Sequence, residues 1–156
     1  MRIITTHLGA DFDALGAAMG MRLLVPDARL AFPGSQEVAV RRFLEAERIA
    51  LPEVRVRELR RGRIEQAVVV DCSSLRRLGE VGELIVASGC PVEVVDHHHD
   101  PADLIPGASV LTADVASTCT VVTRELQRRR VEPDVLTASL LLLGVYEDTG
   151  GLTYVD

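Results

Sequence analysis

Four apolar runs in this 156-residue chain each end at acids or imidazoles, and that repetition constrains the fold more than any other feature of the sequence. Val92-Glu93-Val94-Val95 leads into Asp96, His97, His98, His99 and Asp100. Arg2-Ile3-Ile4-Thr5-Thr6 ends at His7, with Asp11 and Asp13 just beyond. Ala67-Val68-Val69-Val70 ends at Asp71, and the run 138–146 is followed by Asp148. Short, mostly β-branched runs predict buried parallel strands. In open α/β sheets, ligands bind beyond the carboxyl ends of the strands. If these runs share one sheet, His7, Asp11, Asp13, Asp71, Asp96, His97, His98 and Asp148 face one another across a single crevice.

Between the runs, the pattern alternates strand and helix. Strands are predicted over 2–6, 29–32, 67–71, 92–96 and 108–112. Helices are predicted over 13–25, from an N-cap at Ser35 to about 46, and over 79–88, 117–130 and 133–145. The alternating segment 54–59 reads as an exposed edge strand or short extension. Residues 101–107 form a loop over the crevice, 147–151 a turn, and 152–155 resume extended structure. Gly16 and Gly20 lower helix propensity and fit a helix packed closely on the sheet. The fold class is therefore α/β: a doubly wound, mainly parallel sheet flanked by helices.

The length suits one domain. With aromatics at 3% and no Trp, the core is aliphatic. The net charge of −6 gives no global attraction for nucleic acid, although all 17 basic residues are Arg and several are paired, which leaves room for a local basic patch. Cys72, Cys90 and Cys119 show no Cys-x-x-Cys spacing, so neither a zinc finger nor a disulfide scaffold is expected. Neither a signal peptide nor a run long enough for a membrane span is visible, and the expected location is the cytoplasm.

The chemistry follows from the donor set. Carboxylates mixed with neutral imidazoles favour Mn²⁺ or a similar divalent ion. There are more such groups than one ion needs, so two metals are expected, about 3.5–4 Å apart as in two-metal phosphoryl sites. Asp71, central to the core strands, is the candidate bridging ligand. Without cations this many carboxylates in one cleft would repel one another, and some would stay protonated. There is no Gly-x-Gly-x-x-Gly after the first strand, no Walker loop and no Gly-x-Ser-x-Gly elbow.

At these residues the chain resembles the DHH phosphoesterase family. Thr6-His7-Leu8-Gly9-Ala10-Asp11-Phe12-Asp13-Ala14-Leu15-Gly16 is similar to its first motif and Val70-Asp71 to the second. Asp96-His97-His98 is similar to the third, and Tyr146-Glu147-Asp148-Thr149-Gly150 to the fourth. The resemblance implies a Rossmann-like domain holding two Mn²⁺, or alternatively Mg²⁺, ions. One would be bound by His7, Asp11 and Asp71, the other by Asp13, Asp71, His97 and Asp148. His98 would face the phosphate, and Asp96 would orient an imidazole. Asp71, His98 and Asp96 thus form the implied catalytic set. His99 lies outside the motif and is expected to be structural or surface-exposed. One departure is Gly9, where the family commonly has Asn; metal binding is expected to survive it, with a difference in substrate contacts or rate.

A narrower resemblance is carried by Asp11-Phe12-Asp13-Ala14-Leu15, Phe32-Pro33-Gly34-Ser35-Gln36-Glu37 and Gly150-Gly151-Leu152-Thr153-Tyr154. These look like the N-terminal DHH domain of bacterial poly(A) polymerase or tRNA-nucleotidyltransferase-like proteins that carry CBS domains. Residues 1–156 are accordingly expected to be one DHH domain, the N-terminal part of a longer multidomain protein. A fragment without the domain that closes over a DHH site would turn over slowly. Three readings stand at this point. The first is hydrolysis of a phosphodiester in a short oligonucleotide or RNA end, the second hydrolysis of pyrophosphate or polyphosphate. The third is a non-catalytic metal- or nucleotide-sensing role beside a polymerase. A homo-oligomer is left open.

Overall fold

The structure, a computed structural model, describes residues 1–98 and 105–154. The expectations for His99 and Asp100, and for most of the loop over the crevice, fall outside the described residues. Five strands form one sheet in the order β2-β1-β3-β4-β5, every neighbouring pair parallel. They are β1 (Arg2–Thr5), β2 (Arg29–Ala31), β3 (Gln66–Val70), β4 (Val92–Asp96) and β5 (Ser109–Thr112). The helices are α1 (Phe12–Leu24), α2 (Val38–Ala46), α3 (Val56–Leu59), α4 (Gly79–Ser88), α5 (Thr118–Arg129) and α6 (Val135–Asp148).

Why the central strands read as unbroken apolar runs is visible in the packing: both faces of the sheet are covered. Ile4, Val68, Val70 and Val95 join one core with α1, α5 and α6, while Ile3, Ala67, Val69 and Val94 join a second with α4. This is the doubly wound arrangement expected. Register then decides where the site lies. Thr5 pairs with Val69, and Val70 with Val95. The backbone N–H of Asp71 donates to Val95 O at 2.9 Å. The residues following β1, β3 and β4 therefore leave the sheet side by side at one edge.

Three expectations change. Segment 54–59 is not an edge strand: the chain meets β2 in a single bridge, Leu30 to Glu53, and then turns into α3. The signal against a strand was Leu59, which stands three residues after Val56 rather than two and is buried in the second core. Helix α2 starts at Val38 and not after Ser35, because Glu37 N–H is held by Ala10 O at 2.9 Å; its N-cap residue Glu37 makes no side-chain cap bond. Finally, the helix predicted over 133–145 is present as α6 but runs on through Asp148, where a turn was expected, and the residues after Gly151 turn instead of extending, with Leu152 at φ 65°. Asp148 thus reaches the crevice from a helix end and not from a strand.

Two glycines explain how α6 comes so close. A Cβ on Gly16 of α1 would stand 2.5 Å from Leu140 O, and one on Gly144 of α6 would stand 2.7 Å from the Asp13 Cα and 2.5 Å from Cys119 Sγ. Only bare backbone fits at this crossing. The low helix propensity of both residues is offset by the approach it allows, which carries Asp148 to Asp13. No helix among the described residues is long and apolar enough to cross a membrane.

Candidate metal centre

Each expected ligand is delivered by a distinct piece of local structure. His7 and Asp11 sit on the loop after β1. Asp11 is also the N-cap of α1, its Oδ1 accepting from Ala14 N at 2.9 Å, which leaves Oδ2 free to face His7. Asp13 lies in the first turn of α1 and is fully buried. Asp71 follows β3 with φ 52°, a left-handed conformation that Asp tolerates better than most residues at a cost of roughly 1–2 kcal/mol. Asp96 ends β4, His97 and His98 follow it, and Asp148 ends α6.

Together these residues form overlapping groups whose ligand atoms lie within 4.8 Å of one another: His7, Asp11 and Asp71; Asp13, His97 and Asp148; and Asp71, Asp96, His97 and His98. Asp71 divides its carboxylate between two of them. Oδ2 stands 3.2 Å from His7 Nε2, and Oδ1 3.8 Å from His97 Nε2. His97 Nε2 is also 3.4 Å from Asp148 Oδ2, and His7 Nε2 is 3.8 Å from Asp11 Oδ2. His98 is turned differently. Its Nδ1 donates to Asp96 Oδ1 at 2.8 Å, its backbone N–H reaches the same oxygen at 3.1 Å, and the ring is half exposed.

The remaining bonds of the two inner histidines show what the donors are suited to hold. His7 Nδ1 lies 2.9 Å from Leu8 O and His97 Nδ1 lies 3.2 Å from Val115 O. A carbonyl can only accept, so each Nδ1 carries a proton and each Nε2 is left facing carboxylate oxygens, where it can donate a proton or, once that proton is lost, offer a lone pair to metal. Among the described residues, His97 Nε2 is buried with no hydrogen-bond partner. Buried polar atoms without partners are rare, and carboxylate oxygens gathered around imidazole nitrogens call for positive charge among them, as protons or as a metal ion. The donor set is therefore one that fits divalent metal.

Proton affinities agree with this. Burial and the charges of Asp13, Asp71 and Asp11 push the Asp148 carboxyl up to about 8. Burial and the charge of Asp71 also raise Asp13, against the backbone amides that bind it. Burial opposes a charged His7, but its bonds to Asp71 and Leu8 outweigh that and raise it. Asp96 follows the opposite course: burial works against its charge, yet the bonds from His98 hold it below the usual carboxylate range, while Asp96 in turn raises His98. Without metal, protons supply the positive charge that these carboxylates require. Burial pushes the Cys72 thiol, next to Asp71, up to about 11, and it donates to Ser74 O, so it remains an inert thiol.

Several contacts that shape the site carried no signal in the sequence. The α5 N-terminus binds Asp13 with two amides, Thr118 N to Oδ2 at 2.7 Å and Cys119 N to Oδ1 at 2.8 Å. The Thr118 hydroxyl donates to Asp71 Oδ1 at 3.0 Å. Glu147 accepts from Phe12 N at 2.7 Å, tying the end of α6 to the start of α1. Helix α5 itself is legible from Ser117, its N-cap, but which carboxylates its first turn would meet is a tertiary fact. Gly9 adopts φ 74° with open space around its Cβ position. Asn is among the few other residues at ease in that region, so the backbone there would accept either residue.

A parallel α/β domain with acids and imidazoles gathered at one strand edge is a DHH phosphoesterase-like domain with a candidate metal site. The chain belongs to the DHH family: residues 2–145 match the DHH family, N-terminal domain. It is 39% identical over 155 residues to an A-adding tRNA nucleotidyltransferase of Geobacter sulfurreducens, covering 99% of this chain and 18% of that protein. A second such enzyme, from Aquifex aeolicus, is 26% identical, with 17% of its length covered. The chain thus spans less than a fifth of the curated relatives it matches. Among solved structures, an exopolyphosphatase-related protein from Bacteroides fragilis superposes with a TM-score of 0.78 at 21% identity, over 98% of this chain and 47% of that one. A putative family II inorganic pyrophosphatase from Methanococcus jannaschii gives 0.73 at 20% identity, over 97% and 49%. RecJ of Thermus thermophilus, solved in complex with Mn²⁺, gives 0.51 at 17% identity, over 95% and 22%. At these identities the structures share the fold.

Proposed function

We propose that this domain is a two-metal phosphoesterase that hydrolyses a phosphodiester in a short oligonucleotide or at an RNA end. Its setting would be a longer cytoplasmic protein related to tRNA nucleotidyltransferases. The observation that carries the reading is the division of Asp71 between two ligand groups, one oxygen toward His7 and the other toward His97. In this reading His7, Asp11 and Asp71 hold one ion, and Asp13, Asp71, His97 and Asp148 hold the other. Mn²⁺ suits the mixed imidazole and carboxylate donors, with Mg²⁺ as the alternative; Mn²⁺ is also the ion bound in the RecJ structure. Bound divalent ions would supply Lewis acidity and offset charge at the phosphoryl group.

The chain's own residues do the rest. Asp71, fixed by its neighbours, keeps the two groups at a set separation. Asp96 holds His98 through Nδ1 and raises its proton affinity, so the half-exposed ring offers an Nε2–H to a phosphate oxygen. The RNA assignment rests on the kinship with A-adding tRNA nucleotidyltransferases. Three free cysteines accord with a reducing compartment.

The test is hydrolysis with Mn²⁺ of a generic phosphodiester, a short RNA and pyrophosphate, comparing wild type with Asp71→Ala. Cleavage of the phosphodiester and RNA, lost in Asp71→Ala, is expected. Equal rates for the two proteins would overturn the reading; preferential phosphate release from pyrophosphate would overturn the substrate.

A further inference from the structure

We infer that Thr118 is a positioning residue for the metal pair, acting through Asp71. The inference rests on the two-metal reading above. Thr118 is fully buried, and its hydroxyl donates to Asp71 Oδ1 at 3.0 Å. That oxygen faces His97 and His98, at 3.8 and 3.6 Å, while Oδ2 faces His7 at 3.2 Å. A carboxylate on a single Cβ–Cγ bond rotates readily, a soft, broad torsion. A hydrogen bond to one named oxygen fixes that rotation. It keeps one oxygen for each ligand group rather than letting both turn toward a single ion.

Helix α5 has no need of this hydroxyl. Its N-cap is Ser117, whose side chain accepts from Thr120 N at 3.1 Å. Thr118 is the first helical residue, and its Oγ1 faces away from the capping bonds, toward Asp71. The adjoining backbone acts in parallel, since the amides of Thr118 and Cys119 take one oxygen each of Asp13. The opening turn of α5 thus orients a carboxylate from the end of β3 and another from α1. Carboxylates that bind metal are themselves commonly hydrogen-bonded, and loss of such a partner costs about 10–100-fold in affinity.

Thr118→Val removes the hydroxyl at nearly constant shape, and Thr118→Ser restores it. Thr118→Ala repeats the deletion with less bulk in case Val disturbs the packing. Thr123→Val is the control, because that hydroxyl, on the same helix, donates to Cys119 O and not to a candidate ligand among the described residues. Mn²⁺ is titrated into each protein at pH 8 by calorimetry, and melting is followed in chelator. Wild type is expected to bind two ions. Thr118→Val and Thr118→Ala should weaken the more loosely held ion roughly 10–100-fold, with Thr118→Ser within about threefold of wild type and Thr123→Val unchanged. Val and Ala variants that bind like wild type, a Ser variant that fails to rescue, or an equal loss in Thr123→Val would each overturn the inference. A wild type that binds no Mn²⁺ at all would instead overturn the two-metal reading.

Discussion

Replacing Asp148 by Asn should stabilise the metal-free protein, the reverse of what removal of a buried hydrogen-bonding carboxylate normally does. The folded-state value of this carboxyl is about 8 against 3.8 for an unperturbed one, raised by burial and by Asp13, Asp71 and Asp11. An acid whose folded pKa is raised binds its proton more tightly when folded. Its contribution to stability is therefore greatest below about pH 4 and is lost as pH rises toward about 8. At pH 7 the gap above 3.8 is about three units, which at about 1.4 kcal/mol per unit sets an upper bound near 4 kcal/mol. The side chain is 23% exposed, so solvent and counter-ions soften this to about 2 kcal/mol. For a domain of this size that is about 4–8 °C in Tm. Melting in chelator between pH 4.5 and 8.5 should show Asp148→Asn gaining on wild type with each step up in pH. Saturating Mn²⁺ should reverse the order, since only the native ligand set gains the full binding energy. A variant less stable than wild type in chelator at every pH would refute the electrostatic argument.

Mn²⁺ affinity should rise with pH between about 6 and 8 and then level off, because Asp148, raised to about 8, and His7, also raised, must release protons to bind metal; up to about tenfold per unit per proton is expected in calorimetry at fixed ionic strength, and a flat profile would contradict the proton-for-metal exchange. Gly144→Ala should cost about 1–3 kcal/mol in chemical denaturation, since the added Cβ would lie 2.7 Å from the Asp13 Cα. It should also weaken Mn²⁺ binding by moving α6, and with it Asp148, away from α1; unchanged stability and affinity would mean that α6 can shift without disturbing the site.

The β strands were legible because a parallel sheet covered on both faces leaves no alternation: Val68, Val69 and Val70 point to both cores and all must be apolar. With the strands placed, side-by-side registry brings His7, Asp71 and Asp96 together. Asp148 was harder. Its position depends on how closely α6 can approach α1, and that depends on Gly16 and Gly144, which in a linear sequence look only like weak points in helices. Segment 54–59 misled because Val54 and Val56 satisfy a two-residue period, and only Leu59 breaks it. Thr118 was not legible at all. Nothing local distinguishes a helix-starting threonine that reaches Asp71 from one that faces solvent, since their meeting depends on the packing of α5 beside β3. What is local, such as the Ser117 cap and the apolar runs, can be read from the chain; what is paired across elements, such as the Glu37 N–H bond to Ala10 O that displaced the expected Ser35 cap, needs the fold.

Whether two ions share Asp71 is the decisive question for this domain. Electron paramagnetic resonance of the Mn²⁺-loaded protein at pH 8, with metal content measured on the same sample, reads this directly. Two ions per chain with a spin-coupled spectrum are expected, collapsing in Asp71→Ala to one uncoupled ion or none. A single isolated ion in wild type, or a coupled pair that survives Asp71→Ala, would contradict it.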